Sequence, residues 1–333
     1  MIVYDELYGK YQIEGVLEEL INSPEVQRLK DIHMIGPSYL LNPLWNETRY
    51  EHSIGVMLLI KKLGGNIEEQ IAGLLHDISH TVFSHVIDMV MKRNKEDYHE
   101  IIKEKYIENS TLPSILKKWG YDYTEILFDD SKWKILEQDA PLLCADRMDY
   151  TLREVYRYFG TSIKEIHSFL SNVSFEANQI VLQNVSDGEW FIKEYYKVVL
   201  DLFYDPTNMY GYEIMSKILS HSLQNKFLSP DDLMKTESEI LTYLKSIHDE
   251  QLEVLFNEFY SDILFKEATS EQDYDIYQKK KTRLIDPIVK IDSRLLPTSS
   301  CSELARQMNE DAKNKSMNGV YLSLITNKKE SIK

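Results

Sequence analysis

Between Asn66 and His85 the chain reads Asn-Ile-Glu-Glu-Gln-Ile-Ala-Gly-Leu-Leu-His-Asp-Ile-Ser-His-Thr-Val-Phe-Ser-His, and this stretch narrows the folding options more than any other. Ile67, Ile71, Leu74, Leu75 and Ile78 recur at helical spacing. Asn66 is a good N-cap, with Glu69 three residues on as in a capping box. The spacing predicts a helix over 67–78 that runs directly into His76, Asp77, His80 and His85. A lone His-Asp pair on a helix is usually structural. Three histidines and an aspartate within ten residues, on an apolar background, are not explained by packing, because buried imidazoles and carboxylates need partners. A metal ion or a phosphate provides them. Histidine is a borderline ligand for first-row metals, and an adjacent carboxylate adds negative charge. His76 and Asp77 at the helix end are expected to converge on one ion, with His52 supplied by the preceding helix. His80, four residues after His76, projects from the same side if the helix continues.

The rest of the chain points to a mostly helical protein, since only 12 glycines and 9 prolines punctuate 333 residues. A helix pair is expected over 10–34, broken near Asn22-Ser23-Pro24 where Ser23 caps and Pro24 opens the second helix. Residues 36–46 read as a loop. Further helices are expected from Tyr50 to Lys62, ended by Gly64-Gly65, and over 84–92, 97–107, 133–158 and 187–222, with another opening at Ser229-Pro230. The segments 172–175 and 179–182 suggest a small hairpin. After residue 265 the charge rises, as in Lys279-Lys280-Lys281, and Pro287 and Pro297 interrupt extended runs. The expected organisation is a helical core over 1–264 and a smaller mixed segment over 265–333 with a frayed, basic end. The lysine run reads as a solvated face, and His33 and His167 as structural residues.

The formal net charge of -16 opposes binding to a nucleic-acid backbone, which needs clustered Lys and Arg. It leaves room for a small phosphorylated ligand in a local basic pocket. Two cysteines, Cys144 and Cys301, cannot build a disulfide framework. No apolar stretch reaches membrane-spanning length, and a cytoplasmic protein is the expectation.

Four further stretches carry a resemblance. They are Arg49-Tyr50-Glu51-His52-Ser53-Ile54-Gly55-Val56, Ala72-Gly73-Leu74-Leu75-His76-Asp77, Phe83-Ser84-His85 and Ala145-Asp146-Arg147-Met148-Asp149-Tyr150. Together with Glu25–Ile32 they resemble the HD-domain phosphohydrolases, and within them the deoxynucleoside triphosphate triphosphohydrolase branch, over residues 5–260. The resemblance implies an all-α, mainly helical core. It implies one divalent metal ion (Mn, Fe, Co, Ni or Zn, with an additional Mg on the substrate phosphates) held by His52, His76, Asp77 and Asp146. Arg49 matches an arginine that contacts substrate phosphate, and His80 and His85 match histidines of the phosphate site. Asp88 and His99 match an aspartate–histidine pair implicated, with His80, in hydrolysis. Tyr150 and Arg153 match residues near the sugar and phosphates, and Tyr212 a tyrosine against which the sugar packs.

Two positions depart from the pattern. Where the branch has a glutamine that senses the sugar, this chain has Met34, which cannot make that hydrogen bond. Cys144 replaces an aspartate two residues before Asp146. The leading expectation is hydrolysis of a (deoxy)nucleoside triphosphate to nucleoside and triphosphate. The alternatives are another phosphomonoester or phosphodiester, such as a nucleoside monophosphate or a signalling nucleotide, and a weakly catalytic nucleotide sensor. A phosphorylated small molecule is the expected partner, with self-association open and without a membrane or nucleic acid.

Overall fold

The computed structural model describes residues 1–93, 95–261, 263–268 and 273–325. A hairpin of β1 (Ile2–Asp5) and β2 (Gly9–Gln12) precedes α1 (Val16–Ile21) and α2 (Pro24–Arg28). The central helices are α3 (Arg49–Lys62), α4 (Ile67–Leu75), α5 (Val86–Val90), α6 (Tyr98–Glu108), α7 (Leu112–Lys118), α8 (Tyr123–Leu127) and α9 (Ala145–Tyr158). Next come α10 (Ile163–Ser171), β3 (Val173–Glu176), β4 (Gln179–Leu182), α11 (Val185–Tyr196), α12 (Pro206–Gln224), α13 (Glu237–Ser246) and α14 (Glu250–Phe259). The remainder alternates through β5 (Leu264–Glu267), β6 (Ile276–Gln278), β7 (Ile288–Ile291), β8 (Arg294–Pro297), α15 (Thr298–Cys301), α16 (Glu303–Asn318) and β9 (Val320–Ile325).

The site is framed by α3, α4 and α9. Helix α3 begins with a capping box: the Thr48 hydroxyl accepts from the Glu51 amide at 3.3 Å, and the Glu51 carboxylate accepts from the Thr48 amide at 2.9 Å. Its residues Val56–Ile60 are fully buried, so α3 is a core helix rather than an amphipathic surface one. Helix α9 crosses it at Gly55. A side chain there would overlap the Asp149 carboxylate and the Arg153 guanidinium, so glycine is what lets both charged groups pass between the helices.

Helices dominate, as expected, but strands do more than the single hairpin foreseen. The hairpin over 173–182 forms, turning at Ala177 and Asn178 with φ of 51° and 60°, the paired positive values of a type I′ turn. It is then extended by residues far along the chain: β4 pairs in parallel with β7, and β7 antiparallel with β8, giving the sheet β3-β4-β7-β8. A second sheet runs β5-β9-β6. The expected helix over 133–158 starts only at Ala145. Upstream, Pro141 lacks an amide proton, and the Ile135 and Leu136 amides bond to the Glu69 carboxylate at 2.7 and 3.3 Å instead of to a helical carbonyl. The helix pair expected over 10–34 forms as α1 and α2, broken at Ser23-Pro24, but its start gives way to strand β2. The helices expected over 187–222 are α11 and α12, separated by a wide turn at Lys197–Leu202, after which Pro206 opens α12. Residues 326–333, where the frayed end was expected, lie outside the described residues.

Candidate active site

Helix α4 ends at Leu75, one turn earlier than its apolar pattern suggests, so His76 caps it and Asp77 lies in the following turn. Opposite them, α3 presents His52 and the first turn of α9 presents Asp146. His52 Nε2 lies 3.0 Å from Asp146 Oδ1 and 3.9 Å from Asp77 Oδ2. His76 Nε2 lies 3.6 Å from both Asp77 Oδ1 and Asp146 Oδ1. Four side chains spread over ninety-odd residues therefore meet at one point. Donor atoms of His52, His76 and Asp146 all fall within 4.8 Å of one another, close enough to share a cation.

The ring nitrogens are set by their outer partners. His76 Nδ1 donates to the Gly73 carbonyl at 2.7 Å, which leaves Nε2 as a lone-pair donor. That Nε2 is buried and has no hydrogen-bond partner, an orphan that a bound cation resolves. His52 Nδ1 lies 2.9 Å from Asp149 Oδ2, which is the carboxylate–histidine arrangement typical of metal ligands. Burial opposes protonation of His52, but Asp146 and Asp149 outweigh it and raise the imidazole to about 10. Burial likewise works against ionisation of Asp77, yet Arg49 and the neighbouring imidazoles hold its carboxyl well below the usual range. The residues fit a divalent ion: two imidazoles and two carboxylates, one nitrogen visibly unpartnered.

A second group of histidines adjoins the first. His80 and His99 stack face to face with ring centres 3.8 Å apart, and His85 meets both edge-on at 5.0 and 5.5 Å. His80 Nε2 lies 3.3 Å from Asp77 Oδ1, linking the two groups. Burial and the nearby Arg49 charge push His80 well below its ordinary value, and burial with His85 lowers His99 to about 3. Arg49 pairs with Asp77 and donates through Nε to Ser84 Oγ at 2.9 Å. The turn carrying Ser84 is strained, with Phe83 and Ser84 at φ of 59° and 52°. It is held there by Glu237, a fully buried carboxylate on α13 that accepts from the amides of His33 and Phe83, each at 3.0 Å.

Two cavities meet at this place. The smaller, about 290 Å³, is lined by Arg49, His76, Asp77, His80, His99 and Asp146. The larger, about 800 Å³, has Tyr212, Asn208, Gln278 and Lys280 in its wall. Met34, His85, Glu96, Phe203 and Arg283 line both.

Most of the expected residues come together here, with three differences. Asp88 does not pair with His99. Its carboxylate takes His85 Nδ1 at 3.1 Å and the Tyr98 amide at 3.0 Å, because α5 aims it back at the preceding turn. Arg153, expected near sugar and phosphates, lines neither cavity. It is 1% exposed and bound to Asp149 at 2.8 Å and Asp5 at 3.0 Å, so it acts on the site through Asp149 rather than by direct contact. The lysine run is not simply a solvated face: Lys279 and Lys280 line the larger cavity and Lys281 the smaller. Tyr150 lines the smaller cavity and Tyr212 the larger, while Cys144 is buried against Glu137 and Arg147. Asp149, Glu237 and Arg283 were not anticipated. Asp149 lay inside a stretch that carries the resemblance but was given no role there, although its spacing, three residues after Asp146, puts it on a neighbouring face of α9.

Comparison with known proteins agrees with this geometry. The family described as HD domain matches residues 49–154. An uncharacterised protein of Bacillus subtilis, YdhJ, is 48% identical over 98% of this chain and 99% of its own length. The metal-dependent phosphohydrolase cns2 of Cordyceps militaris is 32% identical, covering 67% of each chain. The deoxynucleoside triphosphate triphosphohydrolase SAMHD1 of Bos taurus is 28% identical over 36% of this chain and 24% of its own.

Proposed function

The chain belongs to the HD-domain metal-dependent phosphohydrolases, and from that premise we propose that it hydrolyses nucleoside triphosphates, deoxynucleotides foremost, to nucleoside and inorganic triphosphate. The observation that carries the reading is the meeting of His52, His76 and Asp146 within 4.8 Å, directly beside Arg49 and a second histidine cluster. The partial likeness to SAMHD1 supports the choice of substrate.

In this reading His52, His76, Asp77 and Asp146 hold one divalent ion, and the mixed nitrogen and oxygen donors admit Mn, Fe, Co, Ni or Zn. A second ion such as Mg accompanies the substrate phosphates. When bound, the ion supplies Lewis acidity toward a phosphoryl oxygen and toward water. Arg49, oriented by Asp77 and Ser84, meets the phosphate with a fixed guanidinium. His80 and His99, kept neutral by burial, offer N–H donors to phosphate oxygens. Water attacks the α-phosphorus, the bond from that phosphorus to O5′ breaks, and the proton lost by the attacking water passes to solvent, from which the proton donor is recharged. O5′ takes up a proton. His85, backed by the Asp88 carboxylate, is positioned to give that proton. The larger cavity, walled in part by Tyr212 and Phe203, takes the remainder of the substrate.

Met34 lines both cavities and favours a second reading, cleavage of a nucleoside monophosphate or another phosphoester, since a thioether does not discriminate a sugar hydroxyl. The complete donor set weighs against a purely sensing role. Metal analysis combined with a nucleotide panel and product identification tests these readings. Triphosphate release is expected. Orthophosphate release from monophosphates would favour the second reading, and metal-loaded protein that cleaves no phosphoester would overturn both.

A further inference from the structure

The segment from Gln278 to Asp286 crosses the larger cavity and is pinned along its length. Gln278 donates to the Met209 carbonyl at 2.8 Å, the Lys280 amide to the Tyr204 hydroxyl at 3.0 Å, and the Asp286 amide to the Pro141 carbonyl at 2.8 Å. Its side chains are therefore presented from a fixed backbone. Lys280 places its ammonium 4.4 Å from the centre of the Tyr212 ring. Arg283 lies over the Phe203 ring at 5.4 Å and pairs with Glu96.

The local charge is opposite to that of the molecule. In a chain of net charge -16, the larger cavity gathers Lys92, Arg93, Lys279, Lys280 and Arg283 against two carboxylates, Asp88 and Glu96. Both carboxylates are committed, Asp88 to His85 and Glu96 to Arg283. Arg93 is paired with Asp97 at 2.7 Å. Lys280 makes no close ion pair among the described residues: Glu96, committed to Arg283, acts on it only at longer range, and burial lowers it to about 8. The face of Tyr212 offsets only part of the cost of removing an ammonium from water. An anion in the cavity would complete the arrangement.

We propose that Lys280 and Arg283 form a second anion subsite, which holds a phosphate of the substrate distal to the phosphorus attacked beside His76 and Asp146. The subsite selects nucleotides carrying more than one phosphate over monophosphates. The inference rests on the phosphohydrolase reading of the metal cluster and assigns to it a determinant outside the matched HD segment of 49–154.

Steady-state kinetics of the metal-loaded protein on deoxyadenosine tri- and monophosphate, with equilibrium titration of inorganic tripolyphosphate, test it. Lys280→Met is expected to lower the triphosphate-to-monophosphate ratio of kcat/KM about tenfold, mainly through KM, and to weaken tripolyphosphate binding by a similar factor. Arg283→Gln is expected to act in the same direction, and Lys280→Met keeps the test open if loss of the Glu96 pair unfolds that variant. An unchanged ratio and unchanged tripolyphosphate affinity in Lys280→Met would overturn the subsite. If inorganic phosphate stimulated monophosphate cleavage through Lys280, the anion would be a separate effector and the proposal would be wrong. If no nucleotide is cleaved, the nucleotide reading falls and the tripolyphosphate titration alone decides the subsite.

Discussion

Two clusters of histidine lie side by side in this molecule and differ in what surrounds them. His52 and His76 face Asp77, Asp146 and Asp149, and the carboxylates draw positive charge toward them. His80, His85 and His99 face one another and Arg49, with Asp88 on the far side of His85. One residue type thus meets two environments. In the first, paired acids create a seat for a cation. In the second, the stacked and buried His80 and His99 stay neutral and present N–H groups, which suits an anion, with His85 edge-on beside them. Asp77 touches both, reaching His76 at 3.6 Å and His80 at 3.3 Å. A phosphate ester held between a metal ion and a set of neutral donors needs both kinds of surface, and their separation is a matter of a few side chains.

The largest expected effect breaks the contrast outright. His76→Ala should lose bound metal and about a thousandfold in turnover, the several kcal/mol that a Lewis acid contributes. His85→Ala should keep its metal and lose about a hundredfold, the scale of a single proton donor. Elemental analysis of the two variants beside wild type checks this, and equal metal content in both would erase the distinction. A smaller effect sharpens the first cluster. Asp149→Asn removes the charge behind His52 and should weaken metal affinity about 10- to 100-fold in a chelator competition. An unchanged affinity would show that the bond from His52 to Asp149 does not tune the site.

The smallest effect concerns the second cluster and is read in stability. An unfolded histidine titrates near pH 6.5, whereas folded His99 resists protonation down to about 3. Between those values the unfolded chain binds the extra proton, so stability rises with pH across the window and is lost as pH falls. For this one group the difference between pH 5 and pH 7 is roughly 2 kcal/mol. Denaturant unfolding of His99→Phe at both pH values should show that much less pH dependence than wild type. A slope equal to wild type would mean that His99 is not the group that resists protonation.

The helix over 67–75 and its acid-imidazole terminus were legible because a 3.6-residue period and a cap are local properties. Asp146 was not, since nothing between Asp77 and Asp146 says that α9 will cross α3; only the resemblance placed it. Gly55 illustrates the same limit, because its need for no side chain becomes visible only once Asp149 and Arg153 pass beside it. The reading of 133–158 as one helix failed where Glu69, sixty-six residues from Ile135, captured the amides a helix would have used. Arg283 and Lys280 were hidden for a related reason. A run of lysines reads as solvated unless the chain on either side is pinned over a cavity, and Met209, Tyr204 and Pro141 do that pinning from a distance.

The hairpin at the head of the chain gains an unexpected importance from Arg153. Asp5 grips that guanidinium, the guanidinium grips Asp149, and Asp149 grips the His52 ring. Slack introduced at the fifth residue would travel along this relay and arrive as wobble in an imidazole whose aim chemistry depends on. A fusion or trimming that dislodges the hairpin would therefore be felt as a catalytic lesion, although it alters nothing that touches the substrate.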